Sequence, residues 1–318
     1  MILKLLRDNY FMNSVGRFAV QVLLKVSKRT KWIADKYRIY GAVNLQIEKI
    51  KFTIYAEADD FIANDIYYGI NYEADEFKLI KARADHSRFF LDIGSNTGIF
   101  SVFASRANKA LKVISFEPHP ENYQRLLKNA SLNDTSIESF PHAVGNLETS
   151  IDFTIPSDGS LTTISSANDS FTRNFRSTPF RTIRVKQVTL DSLLNEYPLS
   201  SRDLIKIDVE YYELEVLKGA TKVLSTIKPW LLLEVLDYNN LVNHYPQLKE
   251  KIQKDHAQQI EGLLLSFGYF AYELRPDGIK MVNSVADPHE QRNFLFIPVR
   301  IPKRLISYQE LNGPLICK

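Results

Sequence analysis

The stretch Phe89-Phe-Leu-Asp-Ile-Gly-Ser-Asn-Thr-Gly98 joins an unbroken apolar run to an acidic residue and two closely spaced glycines. Phe89 to Leu91 and Ile93 suit a parallel strand buried on both faces, and Gly94 and Gly98 admit a tight turn where a ligand can meet bare backbone. Ile99, Phe100, Val102, Phe103 and Ala104 follow at a spacing that predicts a helix packed on the sheet. Strand, glycine turn and helix in this order read as the opening of a nucleotide or nucleoside site in an α/β fold.

The turn itself narrows the ligand. A dinucleotide site reads G-x-G-x-x-G, whereas this one reads G-x-x-x-G and lacks the middle glycine. Asp92 would repel a phosphate but can accept hydrogen bonds from an amine or hydroxyl. S-adenosylmethionine, cationic at its amino-acid end and free of phosphate, fits better. Downstream, Val113-Ile-Ser-Phe-Glu-Pro-His119 reads as a second strand ending at Glu117, whose carboxylate can hold both ribose hydroxyls. Pro120 then opens a helix with Tyr123, Leu126, Leu127 and Ala130 at i, i+3, i+4 and i+7, completing a βαβ unit.

Further along, Ser136 to Val144 reads as a third strand and Ser150 to Ile155 as a peripheral fourth. The turn after the third, at Ala143-Val-Gly-Asn146, can frame the adenine. Residues 157–178 contain ten Ser or Thr among 22 positions. They read as a loop or lid, whose hydroxyls, with Arg173 and Arg176, could meet a polar acceptor or simply form a surface insertion. Order resumes with a strand over 182–190. Leu204-Ile-Lys-Ile-Asp-Val-Glu210 predicts a buried strand with Asp208 and Glu210 on one side at the carboxyl edge of the sheet, and Trp230-Leu-Leu-Leu-Glu-Val-Leu236 carries Glu234 to the same edge.

With 318 residues and 45% hydrophobic content, the chain can bury a substantial core. A lone cysteine, Cys317, excludes a disulfide framework and a multi-cysteine metal site, and points to a reducing compartment. The net charge of +3 conceals an uneven distribution: residues 1–38 hold nine Lys or Arg against two Asp or Glu, so the remainder is net acidic. Within that segment Phe11, Val15, Phe18, Ala19, Val22, Leu23 and Val26 share a helical face. Such a basic amphipathic helix could lie on an anionic membrane surface, or pack on its own domain or a partner. Arg17, Gln21, Lys25 and Lys28 interrupt any spanning run, and Asp8 and Asn9 argue against a signal peptide.

Several motifs taken together resemble the FkbM-type family of S-adenosylmethionine-dependent methyltransferases. They are Leu91-Asp-Ile-Gly-Ser-Asn-Thr-Gly98, Phe116-Glu-Pro-His-Pro120, Thr189-Leu-Asp191, and Ile205-Lys-Ile-Asp-Val-Glu210 with Glu213 and Lys218-Gly-Ala220, spread over roughly residues 50 to 300. The resemblance implies a class I methyltransferase fold: a Rossmann-like, doubly wound seven-stranded sheet with helices on both faces and a late antiparallel strand, for which 293–299 is the segment available. By position it implies that Asp92, Gly94, Asn96 and Gly98 surround the methionine part of the cofactor and that Glu117 holds the ribose, with Asn122, Ala143 and Asp208 as further contacts. The family usually has glycine after Asp-Val-Glu, and Tyr211 stands there in this chain. That departure reads either as a reshaped acceptor site or as an aromatic rim residue.

The domain organisation expected is a basic helical extension over 1–40, a cap with a strand pair over 41–88, the methyltransferase domain over 89–300 and a tail over 301–318. Asp208, Glu210 and His119 are the candidate catalytic groups for removing an acceptor proton, with His142 a further candidate base. The expected reaction is O-methyl transfer to a hydroxyl of a sugar, glycan, lipid-linked saccharide or secondary metabolite. Asp208 and Glu234 could offer hard oxygen ligands to Mg²⁺, but the chain is read as working without a metal, and it has no His/Cys cluster for zinc. The partners expected are a small-molecule or glycan acceptor and, through residues 1–38, a peripheral membrane contact on a cytoplasmic protein. Nucleic acid is not expected, since the basic excess is confined to the N-terminus. A non-catalytic scaffold with the same fold and a nicotinamide-dependent oxidoreductase are the alternatives.

Overall fold

The structure, a computed structural model, describes Ala19 and residues 39–56, 61–69, 73–157, 166–168, 171–173, 179–236, 238–250, 252–287, 292–301 and 304–312. The basic helix expected over 1–40 therefore falls almost wholly outside the described residues, as do Arg176 and most of the Ser/Thr-rich segment. The chain divides into two compact units, residues 1–74 and 75–318.

In the first unit, β1 (Gly41–Ile47) and β2 (Ile50–Ala56) form the antiparallel hairpin that the alternating pattern predicts, with Val43, Leu45, Phe52 and Ile54 buried. The tight connection places Glu48 and Lys49 at positive φ. Helix α1 (Phe61–Tyr67) follows, and Asn64 accepts a hydrogen bond from the Ile39 amide (3.3 Å).

The second unit begins essentially with α2 (Ala74–Ala84) and then alternates β3 (Phe89–Ile93), α3 (Ile99–Ala107), β4 (Lys112–Phe116), α4 (Pro120–Leu132) and β5 (Ile137–Phe140). After β6 (Ala143–Val144), β7 (Thr149–Pro156) and β8 (Phe180–Val188) come β9 (Leu204–Ile207), α5 (Glu213–Lys218), β10 (Trp230–Glu234), α6 (Tyr238–His244), α7 (His256–Ser266), β11 (Phe270–Arg275), β12 (Gly278–Met281) and β13 (Asn293–Ile297). The main sheet runs β12-β11-β13-β10-β9-β3-β4-β5. Strands β10, β9, β3, β4 and β5 are parallel, and β13 inserts antiparallel between β10 and β11. The sheet has one strand more than the seven expected, because β11 turns back on itself as a hairpin and adds β12.

Residues alternate between the two faces of the sheet. One face carries Leu91, Ile93, Ile114, Ile205, Ile207, Leu231 and Leu233 into a core shared with Leu214 and Leu217 of α5 and Ile260 and Leu264 of α7. On the other, Phe77 of α2 stacks with Phe100 and meets Phe103 edge-on, both of α3, at centroid distances of 4.5 and 4.9 Å.

Two strand expectations are corrected. The run 136–144 does not stay in one sheet: β5 ends at Phe140, and Ala143 and Val144 pair with Gln187 and Val188 of β8 in a separate three-stranded sheet with β7. The run 204–210 ends as a strand at Ile207, so Asp208, Val209 and Glu210 form a turn. Both changes follow from positions where the chain leaves the sheet edge, which an apolar pattern does not mark.

At the outer edge, Ile279 of β12 exchanges two backbone hydrogen bonds with Ile306 (2.8 and 3.0 Å). A Cβ at Gly278 would collide with the Ile306 carbonyl.

Candidate active site

The glycine turn sits at the carboxyl end of β3, between the neighbouring ends of β4 and β9. Gly94 and Ser95 donate to the Phe116 carbonyl (2.9 and 3.0 Å), and Asp208 donates to the Ile93 carbonyl (3.0 Å), so the three strand ends are stitched by backbone. Gly94, Asn96 and Gly98 all have positive φ, at 79°, 51° and 78°. At Gly94 a side chain is also excluded by space, because a Cβ would collide with the Asp208 carbonyl. Gly98 caps α3 in the left-handed region.

Asp92 lies beneath this turn and is fully buried. One carboxylate oxygen accepts from the Ser101 hydroxyl (2.5 Å), and Ser101 in turn meets Ser115 (2.7 Å). The other Asp92 oxygen, Oδ1, has no hydrogen-bond partner among the described residues. Burial pushes the Asp92 carboxyl above the usual carboxylate range, and Lys206 and Ser101 pull it partly back. A buried acceptor without a donor is costly, so this oxygen is suited to a polar ligand group delivered at the turn.

Glu117, just beyond β4, stands at the same turn. One carboxylate oxygen accepts from the Asn96 amide (2.8 Å) and the other from the His119 amide (2.8 Å). Burial pushes its pKa up to about 7, and these amides and the Asn122 side chain oppose the shift. Each carboxylate oxygen can accept twice, so acceptor capacity remains. Asn122 is buried on the first turn of α4. Ala143, expected to frame the adenine, is buried in β6 against β8.

Asp208, Glu210 and Glu234 converge: one carboxylate oxygen from each lies within 4.8 Å of the other two. The expectation that Asp208 and Glu210 share an edge rested on strand alternation; the structure brings them together through the turn instead. Glu213 holds that turn, its Oε1 accepting from the Val209 and Tyr211 amides (both 3.2 Å) while Oε2 lies 3.2 Å from His256 Nε2.

Tyr211 is neither a rim residue nor a free group in the cleft. It is 3% exposed and has φ 70°, the left-handed backbone that favours glycine. Its ring stacks between Phe171 (5.3 Å) and His256 (4.1 Å), and its hydroxyl donates to the Gln253 carbonyl. Ser166 donates to the Glu210 carbonyl (2.7 Å), so described parts of the Ser/Thr-rich segment fasten onto the carboxylate turn.

His119 is the N-cap of α4. Its Nδ1 accepts from the Glu121 amide (3.2 Å), and burial lowers its pKa to about 4. The ring is thus committed to a helix terminus rather than to the carboxylate turn. His142 stacks on Phe140 (5.9 Å), and burial with Lys186 lowers its pKa.

The Methyltransferase FkbM domain model matches residues 92–270, more than half of the chain, from the buried aspartate to the first residue of β11. The chain belongs to this methyltransferase family. Among curated relatives, the hexuronic acid methyltransferase AglP of Haloferax volcanii is 25% identical over 222 residues, covering 67% of this chain and 83% of its own length. The methyltransferase sdnD of Sordaria araneosa is 28% identical over 155 residues, covering 41% of this chain and 60% of its own. A solved FkbM methyltransferase from Methylobacillus flagellatus is 18% identical, covers 76% of this chain and 55% of that chain, and has a TM-score of 0.39.

Two FkbM motifs serve the scaffold. Asp191 accepts from the Lys222 and Val223 amides (both 2.9 Å), capping the helical turn at 223–227. Gly219 packs so closely on the Gly145 carbonyl that a Cβ there would collide with it. Sequence reading assigned no role to Ser101, Ser115, Lys206 or His256. Lys206 carried a signal: a lysine inside an apolar strand is rarely buried without a partner.

Proposed function

We propose that this chain is an S-adenosylmethionine-dependent O-methyltransferase acting on a hydroxyl of a sugar, glycan, lipid-linked saccharide or secondary metabolite. The observation that carries the reading is the convergence of the Asp92 turn and the Asp208, Glu210 and Glu234 carboxylates at one sheet edge, where open α/β sheets bind ligands. Membership in a methyltransferase family supplies the reaction class, and the relative AglP, named for a hexuronic acid, favours a saccharide acceptor.

The residues present fit the cofactor. The unpaired Asp92 oxygen and the bare backbone of Gly94 to Gly98 suit its amino-acid end, and the remaining acceptor capacity of Glu117 suits the ribose hydroxyls. When bound, S-adenosylmethionine supplies a methyl group on a positively charged sulfur. The chain's part is to orient the acceptor for in-line attack, and alignment of this kind can contribute on the order of 7 to 11 kcal/mol in favourable cases. Asp208 or Glu210 accepts the hydroxyl proton as the oxygen is methylated.

The experiment is transfer of tritiated methyl from labelled S-adenosylmethionine to a panel of uronic acids, neutral sugars, glycolipids and phenolic metabolites. Label appearing in a hydroxyl ether supports the reading. Calorimetry showing no S-adenosylmethionine binding at high micromolar concentration would sink it.

A further inference from the structure

Lys206 is a cation built into the floor of the proposed cofactor site. It lies in β9 directly opposite Asp92 of β3, in the same register row as Ser115 of β4. It is 2% exposed, its ammonium sits 2.7 Å from the Asp208 carboxylate, and it lies 4.7 Å from the centre of the Phe100 ring. Glu76 of α2, also buried, is a third carboxylate under its electrostatic influence. One ammonium thus stands among Asp92, Asp208 and Glu76 beside the Phe100 ring, itself stacked on the buried Phe77, where charges are weakly screened.

A methyl donor and its demethylated product differ by one charge: the donor sulfur is cationic, and the product thioether is neutral. Without Lys206, the carboxylates would hold the cation far more tightly than the product. We propose that Lys206 is a positioning residue that sets the charge selectivity of this site, offsetting Asp92 and Asp208 so that the sulfonium donor is not over-bound relative to its neutral product. The inference rests on the S-adenosylmethionine reading above.

The test measures dissociation constants of S-adenosylmethionine and S-adenosylhomocysteine by calorimetry for the full chain and three variants. Removing the ammonium in Lys206→Met raises the ratio of product to donor dissociation constants by at least about tenfold, the scale expected for a nearby unit charge in a partly dry site. Lys206→Arg, which keeps the charge, stays within about threefold of the parent ratio. Asp208→Asn moves the ratio the opposite way, because it leaves the lysine less compensated. A merely structural lysine would weaken both ligands together and leave the ratio unchanged, which overturns the proposal. If Lys206→Met does not fold, the Asp208→Asn ratio decides: an unchanged or increased value overturns it. If the parent protein binds neither ligand, the cofactor reading itself fails, an outcome distinct from an unshifted ratio.

Discussion

Gly94, just beyond β3, and Asp208, just beyond β9, approach so closely that the Gly94 Cα faces the Asp208 carbonyl with no room for a Cβ, while the Asp208 amide bonds the Ile93 carbonyl at 3.0 Å. The glycine turn and the carboxylate turn are therefore a single backbone construction. Gly94→Ala must strain a residue at φ 79° and also push these strand ends apart. We expect a loss of about 3 kcal/mol or more by urea denaturation, within the range of severe single substitutions. A loss below about 1 kcal/mol would show that the turn can relax.

Asp92 is a buried acceptor with one oxygen unpartnered among the described residues. Asp92→Asn keeps the shape but turns one acceptor into a donor, so the melting-point rise given by S-adenosylmethionine should fall to a small fraction of the parent value. Ser101→Ala, which removes only the hydroxyl bonded to Asp92, should weaken binding less. An unchanged shift in Asp92→Asn would remove the residue from the site.

Glu117 should give stability a pH signature. Its folded pKa, raised to about 7, exceeds the ordinary glutamate value of 4.5, so the folded state holds the proton more tightly than the unfolded chain. Its stabilising contribution is full below about pH 4.5 and is lost as pH rises through about 7. Glu117→Gln lacks this loss. The stability of the variant minus that of the parent should climb between those pH values and level off above, as followed by denaturation at a series of pH values; a flat difference refutes the assignment. His119, with its pKa lowered, acts in the opposite sense in both proteins and cancels from the comparison.

His119 caps α4 through Nδ1. His119→Asn retains a side-chain acceptor and should be nearly neutral, whereas His119→Ala should cost about 1 kcal/mol. If methyl transfer were abolished equally by both at unchanged stability, the histidine would be a base as well as a cap.

Tyr211 opposes backbone preference to packing. Tyr211→Gly relieves a left-handed residue, worth about 1 kcal/mol, but removes the ring between Phe171 and His256. The net result should be a loss of about 2 kcal/mol or more, typical of an emptied aromatic site, and a gain in stability would show that the stack contributes little.

Most of the sheet was legible because β3, β4, β9 and β10 are parallel strands buried on both faces, whose continuous apolar runs leave little alternative. The arrival of Asp208 and Glu234 at the carboxyl edge was legible for the same reason, whereas Glu210 joins them through a turn that the strand pattern did not mark. Departures from the sheet were not. Ala143 joins β8 through a long-range pairing with no local signal, and β12 exists because of a hairpin at residues 276–277. The burial of Tyr211 was not legible because its neighbours in space, Phe171 and His256, stand 40 and 45 positions away in the chain. The pairing of Lys206 with Asp92 depends on strand register between β9 and β3, which the local sequence does not specify.

The two hydrogen bonds between Ile279 and Ile306 give the last described segment a protective role. Strand β12 is the terminal strand of the sheet, and a bare edge is a template for pairing with another molecule. A chain shortened to end at residue 303 would uncover that edge, so it should remain folded at the cofactor end yet self-associate in a concentration-dependent manner. Solubility and the proposed cofactor binding would then be governed from different borders of the same sheet.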